Sequence, residues 1–132
     1  AATLTAFLLA LSNRIPSNLM KRGWKKRKSA TEVNRDLWDG VNALSDEVEQ
    51  MAKKGLANLG SITNWQRSRL KGEKNLMLIH ANFNNEELSL GIRNSGTQAK
   101  ISVSLRLSSG DNIDGLDQLV DSLVSHLKIK MG

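Results

Sequence analysis

Lys100-Ile101-Ser102-Val103-Ser104-Leu105-Arg106-Leu107 alternates polar and apolar side chains without a break. A period of two puts Ile101, Val103, Leu105 and Leu107 on one side of a strand and Lys100, Ser102, Ser104 and Arg106 on the other. One side is aliphatic and the other is hydroxyl and cation, the mark of a sheet with one buried and one wet face. Upstream, Leu88, Leu90 and Ile92 alternate with Ser89, Gly91 and Arg93, and Asn94-Ser95-Gly96 forms a turn signal. Before that, Asn75–Phe83 is a compact apolar run closed by the turn-forming pair Asn84-Asn85. Three strands joined by short turns predict an antiparallel meander.

Helical spacing flanks this stretch on both sides. After Ser108-Ser109-Gly110-Asp111, residues Leu116, Leu119, Val120, Leu123, Val124 and Leu127 form one apolar stripe, on a helix expected to begin near Asp111 or Asp114. Asp114, Asp117 and Asp121 load its first turns and Lys128 and Lys130 its end, as the helix dipole favours. Ahead of the meander, the spacing predicts a helix over 29–53. Ser29-Ala30-Thr31-Glu32 fits a capping box, and Val33, Leu37, Val41, Leu44, Val48 and Met51 follow as a stripe, with Gly55 as a natural stop. Leu56, Leu59, Ile62, Trp65 or Gln66, and Leu70 extend the helical period. The expected fold class is α+β, with N-terminal helices, a three-stranded antiparallel meander and a C-terminal helix packed on it (α-β-β-β-α). Residues 1–28 form an apolar N-terminal segment and basic arm, and 29–132 a single small α+β domain.

Composition narrows the function classes. The chain has 132 residues and no cysteine, which excludes disulfide scaffolds, thiolate metal sites and cysteine nucleophiles. Two histidines argue against an imidazole-rich metal site. The apolar run at Ala6–Leu11 is too short to span a bilayer. Residues 1–20 resemble an organelle transit segment in lacking acids and containing Arg, Ser and Thr, and they also fit an interfacial helix. Without a secretory signal or disulfides, an intracellular location is expected.

The net charge of +6 is uneven. Residues 1–74 hold 14 basic and 7 acidic side chains, whereas 75–132 hold 5 and 6. The densest stretch is Lys21, Arg22, Gly23, Trp24, Lys25, Lys26, Arg27 and Lys28, followed by a looser group at Arg67, Arg69, Lys71 and Lys74. A cation cluster of this kind meets a polyanion or an anionic membrane surface. Its lysine-rich make-up suits phosphate backbone rather than base edges, and Trp24 offers a stacking ring. The same residues also fit a solvated tail. The wet face of Lys100, Ser102, Ser104 and Arg106, with Arg93 nearby, suits phosphate or RNA too, although an ordinary solvated face accounts for it.

No chemistry of an enzyme is legible. No Walker or dinucleotide glycine pattern appears, no Ser-His-Asp set is visible, and Asp111, Asp114, Asp117 and Asp121 lack the spacing of a calcium loop. His80 and His126 stand alone, and no cofactor or metal is expected. The expected function is non-enzymatic binding of DNA or RNA by backbone contacts from Lys21, Arg22, Trp24, Lys25, Lys26, Arg27, Lys28, Arg67, Arg69, Lys71 and Lys74, with a homo-oligomer formed through the 29–53 stripe. The alternatives are a structural or assembly subunit of a larger complex and a membrane-proximal protein with a short apolar anchor and a basic cytoplasmic flank.

Overall fold

The computed structural model describes residues 23–68, 74–108 and 114–132. Strand β1 spans Trp24–Thr31, helix α1 Ala43–Leu59, β2 Ile62–Ser68, β3 Leu76–Phe83, β4 Glu86–Asn94, β5 Lys100–Leu107 and helix α2 Leu116–Met131. The five strands form one antiparallel sheet in the order β1-β5-β4-β3-β2. The fold is α+β, but a five-stranded sheet with two helices replaces the expected three-stranded meander behind N-terminal helices. The central three strands lie where the alternation places them. Asn84 and Asn85 both take positive φ, 51° and 67°, in the two-residue β3–β4 turn, the geometry that matches the twist of a hairpin.

Both edge strands occupy segments not read as strand: β1 takes up the basic arm from Trp24 to Lys28 and the start of the expected 29–53 helix, and β2 lies in the helical extension beyond Gly55. Ser29 caps no helix: it lies inside β1, where its hydroxyl meets that of Ser102 at 2.7 Å. The 29–53 stripe is divided among three environments. Val33 and Val48 are buried in the core, Leu44 and Met51 are half-buried against it, and Leu37 and Val41 are exposed. Only its second half is α-helical, after a single 3-10 turn at Arg35–Leu37, and the cap is Asn42, whose side chain accepts from Ser45 N–H at 3.0 Å. Gly55 does not end α1 but sits inside it facing Leu119, and the helix stops at Gly60. Beyond that stop, Ile62 and Trp65 belong to β2, where a bulge between Thr63 and Gln66 keeps Trp65 and Arg67 on the helix side.

The core lies between the sheet and the two helices. It collects Met77, Ile79 and Phe83 of β3, Leu88, Leu90 and Ile92 of β4, and Ile101, Val103, Leu105 and Leu107 of β5. Facing them, α2 contributes Leu116, Val120, Leu123 and Leu127, and α1 contributes Val48, Ala52 and Leu56. Each such aliphatic side chain contributes about 1.5–3 kcal/mol when fully buried. Helix α2 covers β1 and β5, and α1 packs beside it against β2. Among the described residues, no helix is long and apolar enough to cross a membrane.

Candidate nucleic-acid interface

Because both helices pack on one side, the register fixes which side chains reach the other. On β1, Trp24, Lys26, Lys28 and Ala30 pair with Leu107, Leu105, Val103 and Ile101, so they share the helix side. Lys25, Arg27, Ser29 and Thr31 pair with Arg106, Ser104, Ser102 and Lys100, so they share the open side. The β4–β5 register continues these rows: Arg106 stands opposite Ser89, Ser104 opposite Gly91, and Ser102 opposite Arg93. The open face therefore gathers Lys25, Arg27, Arg93, Lys100 and Arg106 from three adjacent strands. Cross-strand partners stand about 5 Å apart, and alternate residues of one strand about 7 Å apart.

These five cations have little opposing charge. Among the described strand residues, the one carboxylate on this face is Glu87, in the end row opposite Asn82. None of the five takes part in an ion pair among the described residues. Lys25, Arg27, Arg93 and Arg106 are exposed. Between them lie only small residues: Ser29, Ser89, Gly91, Ser102 and Ser104. The second half of the face is nearly uncharged. There β3 presents Leu76, Leu78 and His80, and β2 presents Gln66 and Ser68.

The basic run is thus split by strand alternation. Lys25 and Arg27 join the cationic face. Lys28 turns toward α2 and pairs with Asp121 at 3.2 Å. Trp24 is half-buried and packs against the core, so its ring is no free stacking platform. Lys21, Arg22, Arg69 and Lys71 lie outside the described residues, as does the apolar N-terminal stretch.

Arg67 faces the helices, with its side chain only 5% exposed. Its guanidinium donates to Asp46 at 2.6 Å, Glu49 at 2.9 Å and the Ser45 hydroxyl at 2.8 Å. Burial pulls its pKa down, but the hydrogen bonds to Glu49 and Asp46 outweigh that and the net shift is upward. Trp65 Nε1 donates to the other oxygen of Glu49 at 2.8 Å. Arg67 and Trp65 therefore clamp α1 to β2. Lys74 sits two residues before β3 beside a cleft shared with Arg35, Asp36 and Asp39, where cations and carboxylates balance.

Sequence reasoning ranked Lys100, Arg106 and Arg93 below the arm because a lone strand gives no sign of what lies beside it. The signal was present in the alternation of β5, but the partner strand that doubles its charge carries no apolar alternation. Among the described residues, no cluster of His, Asp or Glu has the geometry of a metal site. No family model matches the sequence, and no curated protein is significantly similar to it.

Proposed function

We propose that this chain is a non-enzymatic nucleic-acid-binding protein that holds the phosphate backbone on the open face of its sheet. The observation that carries the reading is the convergence of Lys25, Arg27, Arg106, Arg93 and Lys100 on one face, with small polar residues between them. Cations held on a rigid sheet lose less freedom on binding than cations on a tail. They neutralise phosphates and release counterions, so affinity falls linearly with salt on logarithmic axes.

The test compares the two sides of one strand. In fluorescence anisotropy with labelled DNA and RNA, Lys25→Gln, Arg27→Gln and Arg106→Gln together are expected to weaken binding about 100-fold near 0.1 M salt. Lys26→Gln with Lys28→Gln, on the helix side, is expected to change it less than threefold. Equal losses from both sets would return the binding to a linear basic segment and remove the sheet face from it.

A further inference from the structure

The open face is divided, and the division favours one form of nucleic acid. We infer that the ligand is a single strand, laid with its phosphates over the cations of β1, β5 and β4 and its bases over the β3–β2 half. This rests on the phosphate reading above and adds which form of polynucleotide is bound and how it lies.

A duplex carries charge on both flanks of each groove and hides its base faces. Its base edges are read by an element that enters a groove. A single strand carries charge along one edge and exposes flat apolar rings along the other. The open face has the same two halves. Five cations occupy β1, β5 and β4, while Leu76, Leu78 and His80 stand on the neighbouring strand. His80 is exposed and Leu78 half-exposed, so both present surface to a base.

Between the halves lies Gly91, in the row Arg27–Ser104–Gly91–Leu78. A Cβ placed there would meet only Leu78 Cδ1 at 3.8 Å, an ordinary contact. Packing within the chain does not demand glycine at this position, and a β-branched residue suits a central strand better. What glycine supplies is a low point over which a chain passes from the cationic half to the apolar half.

The experiment measures binding of the whole chain to oligothymidylate, oligouridylate and a duplex, each about 12 nucleotides long, within the site sizes usual for such surfaces. The expected result is single-strand affinity at least tenfold above duplex affinity. Gly91→Val is expected to melt no lower than the parent and to weaken single-strand binding about tenfold, and His80→Ala to do so about fivefold, as loss of base stacking would. Both leave duplex binding within twofold.

Equal affinity for single strand and duplex overturns the inference while leaving the phosphate reading intact. So does tight single-strand binding indifferent to both variants, since the strand then lies elsewhere. Absence of salt-dependent binding to every probe removes the phosphate reading and this inference with it. Should Gly91→Val melt lower, His80→Ala, an exposed side chain, decides alone.

Discussion

At the scale of single residues, two positions hold the sheet and helices in register. Gly40 approaches the backbone of β3 so closely that a Cβ would stand 2.5 Å from the Leu76 carbonyl oxygen. Its N–H donates to Lys74 O at 2.6 Å, and its own carbonyl accepts from Arg67. Backbone cannot yield as a side chain does, so Gly40→Ala is expected to cost about 1–3 kcal/mol, read as a lower urea midpoint. Arg67 is the second position. Arg67→Ala leaves Glu49 beside the core without its cation, and the expected loss is about 3 kcal/mol. Replacing Arg67 and Glu49 together by leucine should recover part of that loss, because the unpaired charge goes with its partner. A double variant no more stable than Arg67→Ala would show that the cost lies in the hydrogen bonds of Arg67 to Gly40 and Ser45 and of Trp65 to Glu49 instead. Nothing in the sequence announced either role, since Arg67 stood in a loose run of cations and gave no sign of facing inward.

Among elements, the edge strands decide how far the sequence was legible. β4 and β5 are buried on one face and wet on the other, so their period-two pattern is complete, whereas β3 carries Leu76 and Leu78 on its open face and reads as an apolar run. β1 has no such pattern because an edge strand under a helix margin needs only Ala30 fully buried; Lys28 reaches outward to Asp121 instead. Its lysines also discourage pairing with a second sheet edge, but that does not account for Arg106 and Arg93 on interior strands. β2 was masked differently. Ile62 and Trp65 fall in phase with Leu56 and Leu59 of α1, and the bulge lets Trp65 and Arg67 face the core in succession. The two helices are joined across their exposed faces by Glu47 of α1, which bonds His126 and stands near Lys130 on α2. The hydrogen bond to His126, then the Lys130 charge, holds the Glu47 carboxyl below the usual carboxylate range despite some desolvation. A depressed carboxylate contributes stability above its unfolded pKa and loses it as pH falls through the folded value. The stability gap between the parent and Glu47→Gln is therefore expected to close as pH falls below the usual carboxylate range. Urea midpoints between about pH 7 and pH 3 check this, and a gap that persists at the acid end would remove the bridge from the balance.

For the whole molecule, the +6 charge has been divided by the fold into parts with different work. Arg67 is spent inside, Lys28 and Lys130 meet carboxylates of the helices, and five cations are left together on one face. That partition makes a quantitative prediction that net charge alone does not. If all five engage phosphates of a single strand, the slope of log affinity against log salt is expected near −3.5, since each contact contributes about −0.7. Each single change of Lys25, Arg27, Arg93, Lys100 or Arg106 to Gln should flatten the slope by about 0.7, whatever the base sequence. Lys28→Gln removes the same formal charge and should leave the slope unaltered, because its ammonium already has Asp121. If binding followed total charge, the six variants would behave alike. If it follows the face, five fall on one line and the sixth stays with the parent, and a salt titration of the set distinguishes a surface built by strand register from the sum of the residues that supply it.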